Sequence, residues 1–227
     1  DLGINVPTGK DSLSMTQKYP DGEKVIAPGT VIVSGAGDVT DIKKVVTPVL
    51  QKIDNAPILY IDLSKDERKL GGSAFAQVVE GLGTDCPDVT DSAYFVKAFN
   101  AIQELIEDGL ILAGHDISTG GLVTTLLEMT FADNELGLDA DFSALNEEDP
   151  AKVLFAENPG LIIQVKDAIE VEAKLKAAGI NYLKVGKTGK AGEVNINTGA
   201  CWYSFDSAYL RDVWYKTSYL LDRKQSG

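Results

Sequence analysis

The run Ser92–Asp108 carries Phe95, Phe99, Ile102 and Ile106 at i, i+4, i+7 and i+11, the spacing of one apolar face of an α-helix. Asp91 or Ser92 can cap its first turn, and Gly109 stops it. Apolar runs flank it on both sides. Ile58-Leu-Tyr-Ile-Asp-Leu follows a proline and ends in the charged turn Ser64–Lys69, and Leu110–Ala113 comes directly after Gly109; both read as strands. A one-sided helix set between strands buries its face on a sheet, so the chain must build helical layers against β-structure.

The rest of the chain extends that pattern. Residues 1–26 form an extended, turn-rich opening, and Thr30-Val-Ile-Val-Ser, β-branched and bounded by glycines, predicts a strand covered on both faces. Leu70-Gly-Gly-Ser leads into a short helix over Ala74–Glu80. A polar loop, His115–Gly121, precedes a helix over Leu122–Phe131; then come a strand at Leu161–Val165, a helix at Ala168–Ala178 closed by Gly179, and strands at Tyr182–Val185 and Glu193–Asn197. Helices and strands do not alternate strictly. The expected class is α+β, a mixed sheet with helical layers, in preference to a doubly wound parallel sheet.

Composition narrows the function classes. In 227 residues, 44% hydrophobic and 24% charged, there is material for one generous core or two small ones, which excludes disorder. Twenty-one Lys and Arg against 34 Asp and Glu give a net charge of −13, which repels phosphate backbones and argues against a nucleic-acid binder. The longest apolar runs fall far short of the roughly 20 residues of a bilayer span, so a soluble protein without a membrane partner is expected. Cys86 and Cys201 lie far apart with no Cys-x-x-Cys spacing, which fits a reducing compartment, and the expected location is cytoplasmic. The chain opens at Asp1, with neither Met nor a signal peptide, and reads as a piece of a longer protein; Asp222–Gly227, without an apolar residue, reads as a linker.

Gly3–Ser12 approaches a phosphate-binding P-loop but fails it twice: five residues separate the glycines, and Asp11 stands where a magnesium-binding hydroxyl should follow Lys10. Gly186-Lys-Thr188 lacks the upstream glycine. Gly35-Ala-Gly37 lacks the third glycine of a dinucleotide fingerprint and reads as a turn. His115-Asp-Ile-Ser-Thr-Gly-Gly121 holds the sole histidine, two glycines that let a ligand approach the backbone, and Asp116, whose hard oxygens suit magnesium. Two readings fit this loop alone, a metal–phosphate site or a helix cap with a hydrogen-bonded structural histidine. The clusters Asp62–Glu67 and Glu147–Asp149 read as solvated faces, and the aromatics of Tyr209–Leu221, with Trp214, Tyr215 and Tyr219, as a buried apolar stripe. No Gly-x-Ser-x-Gly elbow exists for a nucleophilic hydrolase, and no catalytic residue can be assigned.

Gly9-Lys-Asp-Ser-Leu-Ser-Met15, Leu70-Gly-Gly-Ser73 and His115-Asp-Ile-Ser-Thr-Gly-Gly-Leu122, in that order, resemble the formylglycinamidine ribonucleotide synthase family of purine biosynthesis in its large single-chain form. Ala56–Leu63, Leu154-Phe-Ala-Glu-Asn-Pro-Gly160 and Leu210-Arg-Asp-Val-Trp-Tyr-Lys-Thr-Ser-Tyr219 extend the resemblance over nearly the whole chain. That family is similar to the aminoimidazole ribonucleotide synthetase superfamily, with two tandem halves of paired α/β domains and a glutaminase domain. The resemblance implies the end of a truncated N-terminal synthetase-type domain at 1–46, a C-terminal synthetase-type domain at 47–205, and a helix and linker toward a glutaminase at 206–227. It implies an ATP-dependent ligase converting formylglycinamide ribonucleotide to the amidine with glutamine-derived ammonia. ATP and Mg2+ are the implied cofactors, and the implied partners are the remaining synthetase and glutaminase domains. Asp116 is implied as a magnesium ligand, with the other ligands lying upstream of Asp1, and Ser118, Gly120 and Gly121 as the nucleotide-binding turn. Thr119 departs from the family's usual Asp. The isolated chain is expected to be inactive. A nucleotide-holding structural domain of the same enzyme is the alternative, and a stand-alone kinase of the superfamily would require an N-terminal half. An orphaned segment 1–46 is expected either to self-associate or to be more mobile than Ile58–Val185.

Overall fold

The computed structural model describes residues 2–5, 9, 15–26, 32–39 and 41–226. The chain divides into two compact units, Asp1–Ile42 and Lys43–Gly227.

In the first unit, β1 (Thr16–Lys18) and β2 (Lys24–Ile26) form an antiparallel hairpin with Thr16 opposite Ile26 and Lys18 opposite Lys24. The turn comes from Tyr19-Pro-Asp-Gly: Tyr19 N donates to Glu23 O (2.9 Å), and Gly22 takes a positive φ of 91° that suits glycine. The strand expected at Thr30–Ser34 is corrected where it can be seen. Thr30 and Val31 lie outside the described residues, while Ile32–Ser34 are not strand, and Ile32 and Val33 are 85% and 83% exposed. A β-branched run becomes a strand only where a neighbour takes its ladder hydrogen bonds, and among the described residues none pairs with it. Lys10–Ser14, the middle of the Gly9–Met15 motif, also lies outside the described residues.

The second unit is built on a seven-stranded sheet. Its elements, in chain order, are β3 (Pro57–Asp62), α1 (Ala74–Val78), α2 (Ser92–Glu107), β4 (Ile111–Asp116), α3 (Gly121–Glu128), β5 (Leu138–Asp141), α4 (Pro150–Phe155), β6 (Gly160–Val165), α5 (Ala168–Ala177), β7 (Leu183–Thr188), β8 (Glu193–Asn197), β9 (Trp202–Asp206) and α6 (Ser207–Ser226). The strand order is β4-β6-β3-β7-β5-β8-β9. Every pair is antiparallel except β5–β8, so the sheet is mixed, as expected.

β3 is buried on both faces. Ile58 and Tyr60 join a core with Leu122, Leu126, Phe142, Val153 and Ile162 beneath α3 and α4, while Leu59 and Ile61 join a second core with Leu105, Ile163, Val171 and Leu175 beneath α2 and α5. The unbroken apolar run at 58–61 is thus the signature of a strand sandwiched between helical layers.

α2 begins where Asp91 accepts a hydrogen bond from Tyr94 N (2.9 Å), which decides between the two expected caps. Its buried face is Tyr94, Ala98, Ala101, Ile102 and Leu105, and Phe99 is 51% exposed, a correction to the expected stripe. The face is rotated because Ala98 and Ala101 bring the helix axis close to the sheet, where a large ring would not fit.

Other differences have local causes. β4 runs on through His115 and Asp116, which pair with Ile162 and Leu161, so the expected loop is shorter. β5, Leu-Asp-Ala-Asp, has little strand propensity; β7 and β8 hold it from either side, and Asn195 and Asn197 donate to Asp139 and Asp141 (2.8 and 3.1 Å). Asp222–Gln225, read as linker, continue α6. The aromatics of α6, read as a buried stripe, are exposed, including Trp214, Tyr215 and Tyr219. Asp62–Glu67 is not simply a solvated face. Asp62 Oδ1 accepts from Ser64 N and Oγ (2.9 and 2.7 Å), and Asp66 accepts from Lys69 Nζ and Asp88 N (both 2.9 Å), so the carboxylates shape the turn. Lys69 and the backbone donors hold the Asp66 carboxyl below the usual carboxylate range.

Tyr60 gives a test of this core. Burial pushes its phenol up to about 12, against the ordinary 10. The folded state therefore keeps a proton that the unfolded state releases, and stability is intact below pH 10 and lost as pH rises toward 12. Urea unfolding at pH 8, 10 and 11 should show a steeper alkaline loss for the wild type than for Tyr60→Phe, with a full swing on the order of 2–3 kcal/mol. Parallel curves would place Tyr60 in a wetter site.

Candidate functional site

Three of the motifs that carry the resemblance meet at one carboxylate. Glu157 Oε1 accepts from Ala74 N (2.9 Å), at the start of α1, and from Gly120 N (2.8 Å), at the start of α3. The Leu70–Ser73 turn, the His115–Leu122 segment and the Leu154–Gly160 segment are thereby pinned together. Beside them, the rings of Phe75 and Phe155 stack at 4.7 Å.

Each segment is shaped by its sequence. Ser73 caps α1 by accepting from Ala76 N (3.1 Å) while its hydroxyl donates to Leu70 O (2.6 Å). Gly71 N donates to Asp85 O (3.0 Å) at so close an approach that a Cβ on Gly71 would lie 2.5 Å from that oxygen. Gly120 and Gly121 take φ values of 90° and 70° and turn the chain from β4 into α3. Gly121 N donates to Ser118 O (2.9 Å), and the hydroxyls of Thr124 and Thr125 donate to the carbonyls of Gly120 and Gly121 (3.1 and 3.2 Å).

His115 and Asp116 close β4. His115 is largely buried. Its Nδ1 faces the Asp116 main-chain oxygen at 2.8 Å and lies 3.4 Å from Asp116 Oδ1, and its Nε2 faces Glu128 Oε2 at 3.1 Å. The Asp116 carboxylate is 71% exposed. Of the nucleotide-binding turn expected from the resemblance, Ser118 is exposed, Gly120 is half-buried and Gly121 is buried. Both glycine amides are already engaged within the chain, and Glu157 places a negative charge at the amino end of α3. Any anion here would be met by the Ser118 and Thr119 hydroxyls more than by backbone N–H groups.

Among the described residues no group of three or more His, Cys, Asp or Glu could hold a metal ion. Asp116 therefore fits magnesium as one ligand, not as a whole site. The sequence reading named neither Glu157 nor Glu128. Glu157 had a signal, since it lies inside the quoted Leu154–Gly160 motif. Glu128 had none beyond its place on an apolar-faced helix.

A mixed, largely antiparallel sheet with helices on both faces defines a layered α+β domain. Residues 58–198 match the family described as AIR synthase related protein, C-terminal domain, and the chain belongs to that family. Over 99% of its length the chain is 40% identical to the probable phosphoribosylformylglycinamidine synthase, chloroplastic/mitochondrial, of Arabidopsis thaliana, and 41% identical to the phosphoribosylformylglycinamidine synthase of Homo sapiens. It spans only 16% and 17% of the length of those two proteins. Among solved structures, T. maritima PurL complexed with ATP superposes with a TM-score of 0.57 at 12% identity, covering 75% of this chain and 28% of that one. T. maritima PurL complexed with FGAR gives 0.58 at 13%, covering 75% and 30%. At such identities these superpositions speak for the fold. Among the described residues no helix is long and apolar enough to cross a membrane.

Proposed function

We propose that this chain is part of the synthetase portion of a phosphoribosylformylglycinamidine synthase, an ATP-dependent C–N ligase, and that it forms one wall of a magnesium–nucleotide site. The observation that carries the reading is the 40% identity over 99% of the chain, and the segments that carry the sequence resemblance fold together around Glu157. In the parent, formylglycinamide ribonucleotide would be converted to the amidine with glutamine-derived ammonia. The remaining synthetase and glutaminase domains would supply what this chain lacks. The proposed division is 1–46, 47–205 and 206–227, in a reducing compartment such as the cytoplasm, consistent with two exposed free cysteines.

Magnesium, when bound, would neutralise phosphate charge. Asp116 offers it one exposed carboxylate. Ser118 would donate its hydroxyl to a phosphate oxygen, with Thr119 beside it, while Gly120 and Gly121 fix the turn and Glu157 holds that turn to α1.

Two assays test the reading. Amidine formation with ammonium chloride should stay at background for this chain alone, and turnover would show a complete active site here. Calorimetric titration should give Mg–ADP binding weaker than micromolar, and Asp116→Asn should weaken it by about tenfold, one ligand's share. Binding indifferent to the substitution would remove Asp116 from the site, and submicromolar binding would count against a site with a single carboxylate ligand.

A further inference from the structure

We propose that Trp214, Glu128 and His115 form a relay of polar contacts that positions Asp116, making the C-terminal helix α6 a working part of the candidate site. The inference rests on the reading of Asp116 as a magnesium ligand and adds residues that reading does not use. The Trp214 indole N–H donates to Glu128 Oε1 (2.9 Å). The other oxygen of the same carboxylate lies 3.1 Å from His115 Nε2, and His115 Nδ1 lies 2.8 Å from the Asp116 main-chain oxygen and 3.4 Å from its Oδ1; the ring donates from whichever nitrogen carries its proton and bridges the two acidic residues by contact on both sides. Four residues from α6, α3 and β4 are thus joined end to end.

Electrostatics single out Glu128. It is the last residue of α3, where the helix dipole disfavours a negative charge, so its position is explained by what its two oxygens hold and not by the helix. Trp214 is 57% exposed, yet its N–H is aimed at that carboxylate and its ring rests on Phe131 at 5.7 Å. Ser207, Arg211 and Trp214 recur at i, i+4 and i+7, one face of α6. All three engage the end of α3 or the turn after it: Ser207 Oγ bonds Thr130 Oγ1 (2.6 Å, both buried), and Arg211 bonds Asn134. That face fixes α6, and α6 fixes the indole. Trp214, Glu128 and His115 also line a groove of about 520 Å³ with Pro48, Phe131 and Arg211. A side chain that holds a metal ligand in place is a positioning residue, and losing one typically lowers metal affinity about 10- to 100-fold.

Nuclear magnetic resonance reads the relay without any ligand. His115 is the sole histidine, and the two tryptophans give two indole N–H signals. In the wild type the Trp214 indole proton should exchange with solvent more slowly than that of Trp202; equal rates would break the first link. Trp214→Phe, which keeps a ring against Phe131, and Glu128→Gln, which keeps the side chain's size and an acceptor oxygen, should both shift the His115 ring nitrogens and the Asp116 amide. Trp202→Phe should shift neither. Unmoved His115 and Asp116 signals in either folded variant would overturn the proposal. Both relay variants should also weaken Mg–ADP binding by about tenfold. If the wild type binds no Mg–ADP at all, the nucleotide reading fails by itself, and the spectra still decide the relay.

Discussion

Truncating Phe142 to alanine is expected to remove about 3–5 kcal/mol of stability, the range for deleting a buried aromatic ring. Phe142 is fully buried where β5 ends. It meets Tyr60 edge-on at 6.2 Å and 79°, and its amide donates to Asn197 O (2.7 Å). The backbone bond survives the substitution, so the loss reports the ring alone. The surrounding Leu138 and Ile162 lie on strands bound into the sheet and have little freedom to collapse into the void. Urea unfolding of the wild type and variant measures the difference, and a loss below about 1.5 kcal/mol, the scale of a volume-conserving swap, would mean the site refills.

Gly121→Ala should be comparably damaging for a different reason. A Cβ there would lie 2.7 Å from the Phe155 Cα and 2.8 Å from Leu154 O, backbone atoms that cannot rotate away, and φ is +70°. Left-handed strain and overpacking each contribute about 1–3 kcal/mol, so a loss of about 3 kcal/mol is expected. The effect should reach the site, because displacing the end of α4 carries Glu157 off Gly120 N and Ala74 N. Gly35→Ala, with nothing within 4 Å, serves as the control and should be near neutral. A Gly121→Ala variant as stable as that control would mean α4 and α3 are not in the contact described.

What the sequence disclosed was local and periodic. The boundaries of α2 followed from Asp91 and Gly109, the core strands from the apolar runs at 58–61 and 161–165, and the family from motifs that are contiguous in the chain. What it hid was set by distant partners. β5 is a strand because β7 and β8 flank it, not because Leu-Asp-Ala-Asp favours one. Phe99 has the right spacing for the buried face but too much bulk for the gap that Ala98 and Ala101 define. At the site, Asp116 and Ser118 stood out by residue type in one loop. Glu157 and Glu128 are placed by contacts to residues from 13 to 86 positions away, which no spacing rule registers. Trp214 was misread for the same reason, since an aromatic at helical spacing looks like core until its N–H finds a carboxylate on another helix.

The strand order also sets a schedule. β3 lies between β6 and β7, and its Ile58 pairs with Gln164 and Gly186, so both neighbours are made a hundred or more residues after it. At about 5–20 residues per second, a ribosome leaves the Ile58–Ile61 segment without its sheet partners for roughly 5 to 20 s, time enough for a nascent chain to form wrong pairings. Long-range antiparallel closure of this kind also makes refolding slow, because loop entropy is lost before any ladder bond is gained. This inner, apolar strand is therefore exposed to mispairing during synthesis, and the window closes only when the residues around 160–188 emerge.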